Sequence, residues 1–552
     1  MHLFILQFFI AFVINSGVAG TYSDRLMHDD AAMALTRQRI QQPALSDSAL
    51  VQKDISFDAD HLHNVGDQFK RIFLSGILYS YKYAPNLVHA FSQFDSLIAI
   101  RPERPEGYFL KAALFSSIYR FQPTQANFDS LKYYTEKTVT TSEEMLKQYP
   151  DDESLYFYLG GVYGNIGLYY LVRNSYWNAY VNGRRGKNYL EKAVELNPDF
   201  ADPYLGLGIY KYYTDVMSKL AKTFLFILGL NGNREEGIEY IKYALQHGSL
   251  TQVEAQFFLA RIYSEYEGKS RESRMFMKNL IRHYPGNYYL RYSCARNLFE
   301  SGEYIDARHD LELLLKEPPA DYFIYLRNLH YYYGIVLHQT GDYEKSNVSL
   351  IQSGRYGEFS KEIATERHFI IGLNYELMGN RTLAANYYRS ARNFNEGRVK
   401  NELERLIDEP MSNGEFIVFE VEKLLNTKEY RNAQTLSGTA IQDFMNSNGK
   451  VAERVLSKLK LQNAESVFYQ GRREQVVPLM RQLSQDDFSR DHEYLARYYM
   501  LGAQAYASIG DMREAEKFIN DLKDIDTEMV SIPIQRRLLA VQRDIMGKAV
   551  FR

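Results

Sequence analysis

The sequence predicts an all-α protein, an α–α superhelical solenoid of about nine to ten helical hairpins. Three observations carry this expectation. Apolar residues recur at helical spacing from Gly66 onward, and one pattern of small, apolar and glycine positions returns several times along the chain. No alternating apolar-polar run long enough to build a sheet stands out. A chain of 552 residues is also too long for one hydrophobic core, so it must be multidomain or a repeat array.

The N-terminus stands apart from this pattern. Leu3 to Ile14 is an almost unbroken apolar run, followed by Gly17 and Ala19 at the spacing a signal peptidase requires. Residues 1–19 therefore read as a signal peptide cut after Ala19, and the protein as exported, periplasmic or secreted. The run is short for a membrane span, so membrane association is expected only through an uncleaved N-terminus. Residues 20–65 lack strong periodicity and read as a flexible leader with room for one short helix. Asp58, Asp60, His61 and His63 in that leader have the flavour of a metal site. Neither a cysteine nor a distant histidine motif accompanies them, so no metal is assigned.

The repeat is clearest at three places. Gly334, Leu337, Gly341, Tyr343 and Leu350 are echoed by Gly372, Tyr375, Gly379, Ala384, Tyr388 and Ala391. The spacing returns as Gly502, Ala503, Tyr506, Gly510, Ala515, Ile519 and Leu522. Each set reads as a helix with a small residue on its packing face, a glycine turn and a second helix. The small residues let the paired helices approach, and the turn glycine takes the positive φ that ends the first helix. This spacing resembles the tetratricopeptide repeat, whose period is about 34 residues.

Other units fit the same frame. Ala90, Phe94, Leu97 and Pro102 read as the second half of the earliest one. Tyr156, Leu159, Gly160 and Tyr163 open another, closed by Gly186, Leu190, Ala193 and Pro198. The extra residues between those halves are expected to lengthen both helices. This insert holds the only tryptophan, Trp177, and its Tyr-rich rings are expected to pack the long hairpin against its neighbour. Leu259, Ala260 and Tyr263, with Met277, Leu280 and Pro285, form a further unit; Ala295, Leu298, Gly302 and Ala307, ending at Pro319, form the next. Weaker units lie around Tyr430, Ala433 and Ala440, and around Ala464, Gly471 and Met480. A seam is expected from Leu406 to Gly414, where Pro410 and Gly414 interrupt the pattern. The repeats accordingly divide into 66–405, with long inserted hairpins, and 415–552.

Residues 200–285 carry a second resemblance. Gly229-Leu230-Asn231-Gly232-Asn233-Arg234-Glu235-Glu236-Gly237, followed by an amphipathic helix, looks like the tetratricopeptide repeat protein 39 family. That resemblance implies divergent repeats and adaptor-like roles rather than an enzyme.

On the repeat frame, certain places of each first helix should face a concave groove. These places hold Phe257 and Arg261 in one unit, then Tyr289, Tyr292, Arg296 and Phe299 in the next. After them come Asn328, Tyr331, His338 and Gln339, followed by Glu366, Phe369 and Glu376. Arg261 and Arg296 occupy the same place and are expected to stack along the groove beside aromatic rings. Rings for contact area and arginine for a carboxylate suit a protein or peptide partner. The alternative is a carbohydrate or cell-envelope polymer, because tyrosine-lined grooves stack on sugar rings as well.

Nothing reads as catalytic. Nucleophile-elbow, phosphate-loop, zinc-protease and dinucleotide fingerprints are missing. Cys294, the only cysteine, falls at a buried place, and so does His330. No cofactor is expected. With 65 basic and 68 acidic residues well mixed and no basic run, nucleic acid is not the expected partner. Two glycosylation triplets, at Asn347 and Asn380, complete the inventory.

Overall fold

The structure, a computed structural model, describes residues 46–82, 87–216, 232–316, 323–394, 396–446, 453–522 and 525–547. The segment 1–19 expected to be a signal peptide, the first part of the expected leader, the apolar stretch Phe224–Leu230 and Pro319 lie outside them. Among the described residues there are helices and no strands. The chain divides into two compact units, Met1–Arg261 with Met275–Leu290, and Ile262–Arg274 with Arg291–Arg552.

A short helix, α1 (Asp47–Gln52), opens the first unit. Hairpins follow: α2 (Asp67–Lys82) with α3 (Val88–Ile100), α4 (Glu106–Phe121) with α5 (Gln125–Leu146), α6 (Glu153–Val172) with α7 (Tyr176–Leu196), and α8 (Pro203–Val216) with α9 (Arg234–His247). The division between units passes through α10 (Gln252–Glu265), α11 (Ser270–His283) and α12 (Tyr288–Glu300). In the second unit come α13 (Tyr304–Lys316), the pair α14 (Phe323–Gln339) and α15 (Tyr343–Ser353), the pair α16 (Lys361–Leu377) and α17 (Arg381–Arg392), and α18 (Lys400–Asp408). The chain continues through α19 (Asn413–Asn426), α20 (Tyr430–Asn446), α21 (Glu453–Tyr469) and the short α22 (Val476–Met480). It ends with the pair α23 (His492–Ser508) and α24 (Met512–Leu522), then α25 (Ile532–Met546).

Local chemistry starts and stops these helices. Thr124, Asp152, Asn233 and Asp491 accept backbone N–H groups at the starts of α5, α6, α9 and α23. Gly341, Gly379 and Gly510 take φ of 84°, 77° and 82° in the turns, the left-handed caps expected of them. Where paired helices cross, the small residue is obligatory. A Cβ on Gly372 would lie 2.5 Å from the Tyr388 ring, and one on Gly334 would lie 2.6 Å from Leu350.

The long hairpin is as anticipated, with 20 residues in α6 and 21 in α7. A glycine seam lets its backbones touch: a Cβ on Gly186 would lie 2.8 Å from the Gly164 nitrogen. Its rings behave in two ways. Tyr169 is buried and its hydroxyl donates to the Ser116 carbonyl at 2.6 Å, as packing against a neighbour requires. Trp177 is instead exposed at the hairpin tip, against Tyr180 at 5.6 Å.

Two expectations about organisation are corrected. Residues 46–65 are packed rather than loose, because Leu50, Ala59, His61 and Leu62 are buried in the first unit. Ser56 N–H donates to Gln252 Oε1 at 3.1 Å, and Ser249 Oγ donates to Asp58 Oδ2 at 2.7 Å. The stretch 406–414 lies inside the second unit. There Leu403, Leu406, Ile407 and Met411 share a core with Phe369 and Tyr388. Pro410 follows the end of α18, and a capping box between Ser412 and Glu415 at once starts α19. The interruption is a turn between helices.

Each unit closes on itself. In the first, Asn287 Nδ2 donates to the Tyr81 carbonyl at 2.9 Å, and the Tyr81 and Tyr284 rings lie 5.6 Å apart. The Tyr81 hydroxyl donates to Glu254. In the second, Arg536 on the last helix donates to the Glu265 carbonyl at 2.6 Å and meets Glu300 at 3.5 Å. Lys428 meets Glu303 at 2.8 Å, and Asn426 donates to Gln339 Oε1 at 2.8 Å.

Candidate functional site

The first helices of successive pairs lie side by side, so each unit has an inner wall of its own. In the first unit, α4, α10 and α12 place Arg120, Phe257 and Tyr289 together. The Arg120 guanidinium lies 5.6 Å from the Tyr289 ring centre and 6.0 Å from that of Phe257, and it donates to the Tyr289 hydroxyl at 2.5 Å. The Phe257 and Tyr289 rings are 5.2 Å apart. Arg120 is exposed on the first helix of its pair, the helix that a solenoid turns to its concave side. Arg261 is half-buried in the same unit.

The second unit carries a ladder of ions. Arg497 on α23 binds Glu422 at 2.8 Å and holds Glu465 of α21 through two nitrogens, one at 2.9 Å. Gln462 adds a 2.9 Å hydrogen bond to Glu422. Burial pushes the Glu422 carboxyl up, but Arg497 and Gln462 outweigh it and hold it below the usual carboxylate range. Arg537 on α25 donates to the Tyr469 hydroxyl at 2.5 Å and stands 3.9 Å from Glu465. Glu366 accepts from Tyr331 at 2.9 Å and from Arg398, which reaches Glu493 at 3.9 Å.

Most of the groove predicted from the repeat frame is therefore occupied by the chain itself. Phe257, Tyr292, Phe299, Tyr331, His338, Phe369 and Glu376 are all buried rather than presented in an open channel. The reason is contact between side chains of neighbouring helices. Phe299 packs 5.2 Å from Tyr332, and Tyr292 packs 6.3 Å from the same ring. His338 Nδ1 donates to Asn374 Oδ1 at 2.6 Å, and burial lowers its pKa. Glu376 meets Arg381 at 2.8 Å and accepts the Met411 N–H at 3.1 Å, which makes it a structural carboxylate. Asn328 accepts from Arg327 at 3.2 Å. Arg296 stays partly open beside Glu300, 2.6 Å away. It belongs to the second unit and Arg261 to the first.

The His61 ring is turned into the core, 3.1 Å from the Tyr158 hydroxyl and stacked on Phe200, while Asp58, Asp60 and His63 are exposed. Among the described residues no His, Cys, Asp or Glu group is arranged to hold a metal. Cys294 is buried, whereas His330 is only half-buried, stacked on Tyr356 at 5.7 Å. Asn380 is exposed and Asn347 buried. No described helix is long and apolar enough to cross a membrane.

Arg120, Arg398, Arg497 and Arg537 were missed from the sequence. Glu465 follows Ala464, the small residue of its unit, so the counting rule that found Arg261 and Arg296 would also have found it.

No protein-family model matches the chain, and no curated protein does. Solved structures do resemble it. The TPR domain of P58(IPK) is 13% identical over 75% of this chain and 94% of that one, with a TM-score of 0.19. A human IFIT1 dimer with PPP-AAAA is 16% identical over 58% of this chain and 69% of that one, with a TM-score of 0.34. A tetratricopeptide repeat protein from Parabacteroides merdae is 13% identical over 53% of this chain and 99% of that one, with a TM-score of 0.23. The fold is that of a tetratricopeptide-type solenoid. What decides it is the crossing repeated at Gly334, Gly372 and Gly502, each set against the second helix of its pair. The likeness of residues 200–285 to the tetratricopeptide repeat protein 39 family gains no family match, and residues 217–231 of that segment lie outside the described ones.

Proposed function

We propose that the protein is an exported, non-enzymatic scaffold that holds a protein or peptide partner against the inner walls of this tetratricopeptide-type solenoid. The observation that carries the reading is Arg120, an exposed guanidinium framed by Phe257 and Tyr289 on a concave wall. Rings supply contact area there and a guanidinium supplies directed charge, the residue types in which binding energy concentrates. Export is supported by the apolar run Leu3–Ile14 followed by Gly17 and Ala19. Affinity capture from envelope and secreted fractions tests the reading, with Arg120→Glu as the control and circular dichroism to verify its fold. The variant is expected to lose the partners that the wild type retains. If it keeps every one of them at wild-type yield, the wall is not the contact surface. Enrichment of glycans in place of proteins would replace this reading with polymer binding.

A further inference from the structure

We propose that the inner wall of the second unit binds an acidic peptide segment, with Arg296, Arg398 and Arg537 receiving its side-chain carboxylates. This deepens the reading of the inner walls as partner surfaces and rests on it. The decisive observation is an imbalance in how the two signs of charge are used. Among the described residues, Glu300, Glu366, Glu422, Glu465 and Glu493 are each already supplied with donors. Glu300 takes Arg296 at 2.6 Å and Arg536 at 3.5 Å. Glu366 is taken by Tyr331 and Arg398, and Glu422 and Glu465 by Arg497. Glu493 accepts the Ser531 N–H at 2.8 Å and the Ser531 hydroxyl at 2.6 Å.

The guanidiniums are not matched in the same way. A guanidinium offers five N–H donors. Arg537 uses one on the Tyr469 hydroxyl, and the carboxylate 3.9 Å from it, Glu465, is already gripped by Arg497. Arg296 directs its Nε to Glu300, and Arg398 directs one nitrogen to Glu366. The side chains of Arg296, Arg398 and Arg537 remain 42%, 32% and 38% exposed. Arg398 stands 3.9 Å from Glu493, and Glu493 accepts the Ser531 N–H beside the start of α25, the helix that carries Arg537. A new carboxylate arriving there gains charge-assisted, bidentate hydrogen bonds without displacing an existing partner.

The same wall favours a peptide over a nucleic acid. A phosphate backbone carries a charge at every step. It would have to run past Glu366, Glu422, Glu465 and Glu493, whereas the carboxylates of a peptide can be seated only opposite arginines. Tyr469 adds aromatic area beside the Arg537 guanidinium, which lies 5.9 Å from its ring centre.

Fluorescence anisotropy on the full chain tests this, using a labelled Glu/Ala peptide, its Gln/Ala counterpart and a single-stranded RNA of similar length. The Glu/Ala peptide should bind, weaken as salt rises and bind at least about ten-fold less well to Arg537→Gln, a loss matching one directed ion pair. Arg537 is the chosen site because its nearest carboxylate, Glu465, is 3.9 Å away; Lys132→Gln, at an exposed lysine of the first unit, should leave this binding unchanged. Equal binding of the Glu/Ala and Gln/Ala peptides, tighter binding of the RNA, or an unaltered Arg537→Gln overturns the proposal. If natural partners depend on Arg120 while the acidic peptide ignores Arg537, the scaffold reading stands and this inference alone falls.

Discussion

Replacing Arg497 with methionine is expected to destabilise the second unit by about 3–5 kcal/mol, the usual cost of removing one partner from a buried ion pair. Arg497 is only 5% exposed and the Glu465 side chain only 2%. The substitution therefore strands one carboxylate in the core and loosens a second at Glu422. The loss comes from the uncompensated charge rather than from packing, because methionine fills much of the same space. A second variant isolates that cause. Adding Glu465→Gln to Arg497→Met removes the stranded charge and should recover a substantial part of the loss. Urea unfolding followed by circular dichroism reads both. A single variant within about 1 kcal/mol of wild type, well below that cost, would mean the ladder is not formed.

Acid is expected to destabilise the first unit through His61. Burial is the main cause that lowers its pKa from 6.5 to about 4; Asp58 opposes this, while His63, Lys70 and Arg104 reinforce it. The ring sits between Phe73 and Phe200, where an imidazolium would lose its hydration. The sign follows directly. Between pH 6.5 and 4 the unfolded chain binds a proton that the folded chain does not. Stability is therefore fully present above pH 6.5 and lost as pH falls through that window. At about 1.4 kcal/mol per pKa unit, the shift amounts to about 3 kcal/mol. Glu106, Asp202 and Glu254, whose carboxyls burial raises, act in the opposite sense. The readout is thus the difference between wild type and His61→Phe in urea midpoint at pH 7 and pH 4.5. The variant should show the smaller loss on acidification, and equal losses would place the proton elsewhere.

The backbone of this fold was legible because its rules are local. Gly341, Gly379 and Gly510 announce helix ends through a conformation few other residues tolerate, and Gly334 and Gly372 announce crossings through the space a side chain would need. The inner walls were harder to read. The repeat frame named Tyr331, Phe369 and Glu376 as wall residues, but how open the wall is depends on closure by distant residues such as Arg536 and Glu265. Arg120 escaped notice because its meaning comes from Phe257 and Tyr289, far away in the chain. The docking of residues 46–65 was hidden for a related reason. A few apolar side chains without a period, Leu50, Ala59 and Leu62, suffice when a wall is waiting for them.

Site-specific photo-crosslinking in the source cells tests the central claim most directly. A photoreactive phenylalanine analogue would replace Tyr289 or Tyr332 on the inner walls and, separately, Tyr133, which is 51% exposed on the second helix of its pair. The account predicts that each inner position captures protein partners and that Tyr133 captures none of them. Capture of the same partners from Tyr133, with nothing taken from the inner positions, would contradict it.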